Sequence, residues 1–553
     1  MPLLLAFPAL ALPGARVNAA PPVPAKHGMV VSVSAPASEI GVAILKKGGN
    51  AVDAAVATAF ALAVTYPQAG NIGGGGFMLV YPGGKSEPAV IDYRETAPAA
   101  STRTMFSRKD GQYGYKVIGV PGTVRGLALA HQRFGKLQWK EVVTPAVLLA
   151  ENGFTVNEHL AGSLNWLVWD ARDFPELRQV YGKRGGAEEW HKGDRLVLKD
   201  LAWTLLQIAD NGPAAFYEGA IADKIAAEMK SGGGLITRAD LGAYQAKIRP
   251  PIHGTYRGYD VYGPPPPSSG GICLVEMLNI LENFELRRHE RWSAETLHLL
   301  VESMRRAFCD RARYLGDADF VKIPVHLTSK EYARELARGI DLHKATRSED
   351  LAPDITLAGE GDHTTHFSVI DPDGMAVSNT YTLERSYGSR VVVRGAGFLL
   401  NDEMTDFNWQ PGITDRKGAI GTDANLIVPG KRMLSSQTPT IVARNGKVVL
   451  VTGSPGSRTI INTVLCVLVN VLDYGMDIRA AVDAPRLHHA WFPDVVRFEG
   501  AGRYPDIVNQ LQKMGHRVQG GKQGDAHSIW VDPATGLYLG ADDKRIDGKL
   551  SSY

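Results

Sequence analysis

Two threonines that one hairpin brings together are the residues with the clearest chemical use. Thr364-Thr365-His366-Phe367-Ser368-Val369-Ile370 alternates like a strand, Asp371-Pro372-Asp373-Gly374 supplies turn residues, and Met375-Ala376-Val377-Ser378-Asn379-Thr380-Tyr381-Thr382 alternates again. That order is the signature of a β-hairpin. With Pro372 and Asp373 as a two-residue loop, Thr364 falls opposite Tyr381 and has Thr382 one step away. A threonine hydroxyl is a weak nucleophile without a base beside it. Its own α-amine is such a base once the chain is cut just before it, and an α-amine pKa of roughly 7.7–8.0 suits the task. Taken alone, the hairpin also fits an ordinary sheet edge. The rest of the chain decides between the two.

The elements around it form a layered pattern. Ser38 to Ala63 is helical and Ala-rich, interrupted by Gly48-Gly49-Asn50. Gly73-Gly74-Gly75-Gly76 leads into the strand Phe77-Met78-Leu79-Val80-Tyr81; glycines before a strand are not a dinucleotide fingerprint, which needs them to open a helix. Residues 140–235 read as helices, and a helix begins near Ile272 after the rigid run Pro264-Pro265-Pro266-Pro267-Ser268-Ser269-Gly270-Gly271. Another helix spans 293–315. Residues 340–363 are polar and Gly/Asp-rich, the composition of an exposed, cleavable segment. Beyond Thr364 the chain turns strand-rich (365–370, 375–383, 390–400, 440–452, 495–499, 527–531, 537–541), with helices near 459–474 and 503–514. Helices and strands collected in separate stretches predict an α+β sandwich.

Composition narrows the function. At 553 residues the chain exceeds one ordinary hydrophobic core. Sixty basic against 58 acidic side chains, a formal charge of +2, leave no electrostatic footprint for nucleic acid. No apolar run after the N-terminus is long enough to span a membrane. Leu3 to Leu12 is apolar, and Val17-Asn18-Ala19 puts small residues before a cut near Ala20, so residues 1–19 read as a secretory signal peptide lacking a basic start. A secreted or periplasmic protein is expected. Residues 20–28 read as a Pro/Ala-rich linker. Three cysteines, Cys273, Cys309 and Cys466, are too few and too apolar in setting for a disulfide framework. The chain lacks G-x-S-x-G, H-E-x-x-H, paired metal-spaced cysteines and a phosphate loop. His363 and His366 point to opposite faces of a strand and share no metal. No metal or cofactor is expected.

Many ordered stretches carry a family resemblance: Gly48-Gly49-Asn50-Ala51-Val52-Asp53-Ala54-Ala55, Gly73-Gly74-Gly75-Gly76-Phe77-Met78, Asp92-Tyr93-Arg94-Glu95-Thr96-Ala97-Pro98, Val120-Pro121-Gly122-Thr123-Val124, Pro265-Pro266-Pro267-Ser268-Ser269-Gly270-Gly271, Asp310-Arg311-Ala312-Arg313-Tyr314-Leu315-Gly316, Thr364-Thr365-His366, Thr380-Tyr381-Thr382-Leu383, Asn401-Asp402-Glu403-Met404-Thr405-Asp406-Phe407, Leu434-Ser435-Ser436 and Gly453-Ser454-Pro455-Gly456. From about Met29 to Tyr553 the chain resembles the gamma-glutamyltransferase (gamma-glutamyltranspeptidase) family. The resemblance implies an N-terminal-nucleophile hydrolase fold, a four-layer αββα sandwich. It also implies a precursor cut between His363 and Thr364 into a large subunit (20–363) and a small one (364–553) that stay together. Thr364 is then the nucleophile and Thr382 the hydroxyl that orients it. Arg94, Ser435 and Ser436 hold the α-carboxylate of a γ-glutamyl group, Glu403 and Asp406 take its ammonium, and the N–H groups of Gly456 and Ser457 form the oxyanion hole. The implied donors are glutathione and related γ-glutamyl amides; water, an amino acid or a dipeptide accepts.

Three positions depart from the family pattern. Ser457 stands where a second glycine is common, Glu384 where many members have asparagine beside the ammonium, and Lys417 where some carry a tyrosine over the pocket. Glu384, Glu403 and Asp406 converging on one ammonium would repel each other, which predicts a raised pKa in the empty enzyme. Two other readings stand beside this one. The first is a cephalosporin or glutaryl-amide acylase on the same scaffold; the second is an unprocessed, inactive binding protein.

Overall fold

The computed structural model describes residues 21–84, 86–107, 109–352, 364–417 and 420–553. The leader at 1–19 and His363 lie outside them.

Two seven-stranded sheets, antiparallel throughout, form the centre. The first runs in the order Val23–Ala25, Tyr538–Ala541, Ser528–Val531, Lys447–Thr452, Thr440–Arg444, Tyr259–Gly263, Ile252–Tyr256. The second runs Lys549–Ser552, Met29–Ser32, Thr365–Ile370, Ala376–Thr382, Gly75–Tyr81, Ala89–Asp92, Lys247–Arg249. Phe77, Leu79, Val31 and Ile370 of the second sheet pack with Ile441, Val451 and Ile529 of the first in one apolar layer. The outer face of the second sheet takes the helices Ala35–Lys46, Ala51–Thr65 and Thr123–Phe134. The first sheet takes Gly270–Leu281, Ala294–Tyr314 and Thr459–Leu472. This is the expected four-layer αββα sandwich.

Burial on both sides explains the sequences. Ala51–Thr65 is buried along its whole length, and its alanines let it pack closely between the helix before it and the sheet. Its start is fixed chemically: Asn50 Oδ1 accepts from the N–H groups of Val52 and Asp53, and Asp53 returns a bond to the Asn50 N–H, a capping box. The two strands of the hairpin are buried at every position because they are the third and fourth of seven. The hairpin is therefore central, not at an edge.

Its register differs from the expected one by a residue. Thr365 faces Tyr381 and Ile370 faces Ala376. Asp371 and Met375 close the turn, so the loop is Pro372-Asp373-Gly374, with Gly374 at φ +81°. A third loop residue in the left-handed region is a standard hairpin solution, and the Asp371 carboxylate braces it by accepting from the N–H groups of Asp373 and Met375. The shift puts Thr364 and Thr382 at directly opposed positions.

Two other expectations are corrected. The run 390–400 is a folded loop, not a strand: Arg390, Gly395 and Gly397 have positive φ, and the Val393 N–H bonds back to the Phe398 carbonyl at 3.0 Å. Within the expected linker 20–28, Val23–Ala25 is an edge strand paired to Tyr538–Ala541, a position that tolerates Pro24.

Candidate active site

Thr364 sits at the mouth of the central strand, buried, where two cavities meet. One, a charged cleft, is lined by Thr364, Thr382, Arg94, Glu384, Asp406, Ser435, Ser436 and Ser457. Gly456 lines the other cavity, and Glu403 lies behind the cleft against Arg94. Of the residues expected from the sequence, eight, Thr364 among them, thus line the cleft, Gly456 lines the second cavity, and Glu403 is connected through Arg94.

The Thr382 hydroxyl accepts from the Glu384 N–H at 2.8 Å, which fixes its position. Glu384 itself has φ +79°. A glutamate in this region costs about 1–2 kcal/mol, and the twist turns its carboxyl into the cleft beside the strand end.

Arg94 is fully buried and held from every side. It pairs with Glu403 at 2.5 Å, with Asp406, and with Glu95 at 3.5 Å, and its Nε donates to the Met433 carbonyl at 3.3 Å. Four carboxyl groups thus share one guanidinium, counting Glu384 further off. Burial first, then Asp406, pushes the Glu384 carboxyl well above the ordinary range. Burial also raises Glu403 well above it, against the pull of Arg94. Glu95 is pushed up to about 8 by burial. The raised values match the expectation, but desolvation leads and mutual repulsion comes second. Glu384, Glu403 and Asp406 bring carboxylate oxygens within 4.8 Å of one another, a spacing a metal ion uses; here Arg94 already supplies the cation.

The serine end is built differently. Ser435 Oγ accepts from the Gln437 N–H at 3.1 Å, and Ser436 Oγ accepts from Arg311 Nη2 at 2.9 Å. Each hydroxyl has an acceptor site occupied, which frees its hydrogen for a ligand. Arg311 also donates from Nε to Ser269 Oγ at 2.9 Å, and Ser269 Oγ donates to the Ser435 carbonyl at 2.7 Å. Sequence reasoning gave Arg311 no role although it lay in a quoted motif. The signal was an arginine inside a helix, Ala294–Tyr314, that is buried along most of its length. Arg458, Asn425 and Ile420 of the cleft wall were missed as well.

Gly456 and Ser457 form the turn that precedes the helix Thr459–Leu472. The Gly456 carbonyl accepts from the Thr459 N–H at 3.0 Å and the Thr459 hydroxyl at 2.7 Å, and Gly456 has φ +124°, open only to glycine. Ser457 has φ +49°, which explains why a glycine is at home there. Peptide N–H groups at a helix start carry partial positive charge, the electrostatics an oxyanion needs. Lys417 is exposed, while Asn408, Ile420, Thr422 and Asn425 of the same 407–430 segment line the cleft. His366 is buried between the hydroxyls of Thr380 and Ser368, and burial holds its imidazole neutral.

A family model described as gamma-glutamyltranspeptidase matches residues 37–553. The chain is 47% identical over 544 residues to the glutathione hydrolase proenzyme of Escherichia coli (strain K12), covering 96% of this chain and 93% of that one. It is 44% identical over 509 residues to the glutathione hydrolase proenzyme of Pseudomonas sp. (strain A14), covering 90% and 88%. Among solved structures, a cephalosporin acylase from Bacillus halodurans superposes with a TM-score of 0.85 at 28% identity, covering 100% of this chain and 99% of that one.

Proposed function

The chain belongs to the gamma-glutamyltranspeptidase family, and from that premise we propose that it is a self-processing γ-glutamyl hydrolase and transferase acting on glutathione and related γ-glutamyl amides. The observation that carries the reading is the two-ended cleft beside Thr364, with carboxyl groups at one end and two hydrogen-donating serines at the other. An α-amino acid zwitterion needs both. Its ammonium is taken by Glu403, Asp406 and Glu384, and its carboxylate by Ser435, Ser436 and Arg94, whose fork suits a carboxylate.

In maturation, Thr364 Oγ attacks the His363 carbonyl carbon, the C–N bond breaks, and water opens the resulting ester. Residues 20–363 become the large subunit and 364–553 the small one. Each contributes strands to both sheets, so the pieces stay joined. In turnover, the freed α-amine takes the Thr364 hydroxyl proton as Oγ attacks the γ-carbonyl. The oxyanion rests on the N–H groups of Gly456 and Ser457, and the leaving amine departs with the proton. Water or an acceptor amine then resolves the γ-glutamyl-enzyme, giving ping-pong kinetics. The 1–19 leader would carry the enzyme out of the cytoplasm; among the described residues no helix is long and apolar enough to cross a membrane.

The acylase reading has the Bacillus halodurans superposition in its favour. A glutaryl group has no ammonium, however, and would leave the carboxyl cluster facing nothing. Turnover of a γ-glutamyl anilide should exceed that of the glutaryl anilide; the reverse order overturns the assignment. Thr364→Ala should give one uncut band on a denaturing gel and no turnover, whereas the parent gives two, the smaller beginning at Thr364. Cleavage of Thr364→Ala at this bond without added protease would refute the intramolecular step.

A further inference from the structure

Two hydroxyls flank the turn that carries the proposed oxyanion hole, and each grips the far end of one of its peptide units. The Gly456 N–H shares a planar unit with the Pro455 carbonyl. The Ser457 N–H shares one with the Gly456 carbonyl. In a trans peptide the N–H points opposite to the C=O within a single plane, so whatever fixes the carbonyl also fixes the direction of the N–H. Ser454 Oγ donates to the Pro455 carbonyl at 2.8 Å. Thr459 Oγ1 donates to the Gly456 carbonyl at 2.7 Å, alongside the Thr459 N–H at 3.0 Å.

The hydroxyls are themselves held in place. Ser454 is fully buried, and its Oγ accepts from the Asp525 N–H at 2.9 Å, which directs its own hydrogen to Pro455. Gly524 makes that approach possible: it has φ +65°, and a Cβ there would lie 2.5 Å from Ser454 Oγ. On the other side, a Cβ on Gly456 would lie 2.5 Å from Thr459 Oγ1, so the Thr459 hydroxyl packs on the turn itself. A Cβ on Gly453 would meet the His366 ring at 2.3 Å. The turn thus rests on the strand Thr365–Ile370 that follows the nucleophile, and hole and nucleophile share one frame. Neither Ser454 nor Thr459 is among the residues lining the two cavities at Thr364.

We propose that Ser454 and Thr459 are positioning residues that aim and polarise the two peptide N–H groups of the oxyanion hole; this rests on the γ-glutamyl transfer reading. Each acts through one peptide unit. A hydrogen bond donated to a carbonyl polarises the amide and strengthens the N–H at its other end as a donor. When Thr364 Oγ adds to the γ-carbonyl, the Oγ–C bond forms and the C=O π pair moves onto the oxygen. No proton leaves Ser454 or Thr459. The charge on that oxygen develops in the transition state and is small in the bound donor, so the gain falls on the rate and not on binding. Acylation and deacylation both pass through such an oxyanion, and both should respond.

Thr459→Val keeps the side-chain shape and the backbone bond to Gly456 but removes the hydroxyl, and Thr459→Ser restores it. Ser454→Ala removes the other hydroxyl and also strips the Asp525 N–H of its acceptor, so Thr459→Val decides the matter if Ser454→Ala gives no two bands on a gel. Turnover of a γ-glutamyl anilide should show kcat about tenfold lower in Thr459→Val and Ser454→Ala, a part of the 10²–10³ lost with a whole oxyanion donor, and Thr459→Ser should stay within about threefold of the parent. Two ligands separate aim from support. Norvaline carries the zwitterion but no γ-oxygen, and its Kd by calorimetry should be the same in every variant. A boronic acid analogue of the γ-glutamyl group forms a tetrahedral adduct on Thr364 and should bind about tenfold more weakly, in parallel with kcat. Unchanged kcat in Thr459→Val, unchanged boronate affinity where kcat has fallen, or norvaline binding weakened to the same degree would each show that the hydroxyls only support the turn. A parent enzyme that does not turn over the γ-glutamyl anilide would instead sink the underlying assignment.

Discussion

Under the proposed function, the two ends of the charged cleft would serve one goal, recognition of a small zwitterion, by opposite means. At the acid end Arg94 is shared among Glu403, Asp406 and Glu95 with Glu384 nearby, and burial pushes the carboxyls of Glu384, Glu403 and Glu95 above their ordinary range. An arriving ligand there meets existing ion pairs, those of Arg94 with Glu403 and with Asp406. At the serine end neutral hydroxyls are set in advance by Arg311 and the Gln437 N–H. One end trades ion pairs; the other is preorganised. The difference teaches that the acid end should govern pH dependence and the serine end should govern affinity with little pH dependence.

The comparison breaks most severely at Arg94. Arg94→Ala leaves Glu95 and Glu403, both fully buried, without their cation, and removes the fork for the substrate carboxylate. Losing one partner of an enclosed charged pair costs about 3–5 kcal/mol, so kcat/KM on γ-glutamyl donors should fall by roughly two to four orders of magnitude, carried mainly by KM. Two bands should still appear on the gel, because Arg94 faces the cleft and takes no part in the attack on His363. Unchanged KM would take Arg94 out of the binding site.

Arg311 probes the other end with a smaller effect. It is argued to act through Ser436, so its loss should free the Ser436 hydroxyl to turn away from the ligand. Arg311→Met should raise KM for the donor about tenfold, near the 1.5–3 kcal/mol of a hydrogen bond to a charged group, with kcat within a few-fold. Arg311→Lys should recover part of it, and neither should move the acid limb of the pH profile. Equal losses in kcat and KM-independent activity, or a displaced acid limb, would show that Arg311 merely supports the fold.

These two ends were not equally legible in the sequence. Thr364, Thr382, Arg94, Asp406, Ser435 and Ser436 could be placed because each sits in a short ordered motif that carries the family resemblance, with Glu384 one residue beyond such a motif; the collection of strands and helices predicted only an α+β sandwich, and its four αββα layers came from the resemblance. The hairpin register was one residue off because a three-residue loop ending in left-handed Gly374 and a two-residue loop have the same turn composition. The 390–400 loop was misread because Val391-Val392-Val393 and Phe398-Leu399-Leu400 have strand composition, while the positive φ values of Arg390, Gly395 and Gly397 are fixed by packing. Arg311 was invisible as a site residue for a related reason: its role depends on the Ser269–Ser435 contact between distant segments, which no local pattern encodes. The serine end is assembled by tertiary contacts, whereas much of the acid end lies in Glu403-Met404-Thr405-Asp406.

The finest test of the comparison is Glu384→Asn, which changes one charge at the acid end and nothing at the serine end. Glu384 faces Asp406, Asp402, Arg385 and Arg94, and its carboxyl is raised, as is that of Glu403. A raised carboxyl keeps its proton to a higher pH in the empty enzyme. The donor ammonium favours the ionised form, so binding releases protons and weakens as pH falls through the cluster's range. Because the groups interact, the acid limb of kcat/KM reports the cluster and not one residue. Asparagine removes a titrating group and the repulsion that Glu384 exerts on Glu403. Glu403 then ionises at lower pH, and the acid limb should move in that direction while kcat/KM above neutrality changes only a few-fold. Glycylglycine should accelerate the variant more than the parent, because nearby carboxylates favour the protonated, non-nucleophilic form of an acceptor amine. An acid limb that stays in place would mean that Glu403 sets it without Glu384. Equal glycylglycine acceleration in the two enzymes would mean that the acceptor amine does not feel Glu384, and with an unmoved acid limb it would show that Glu384 points away from the pocket.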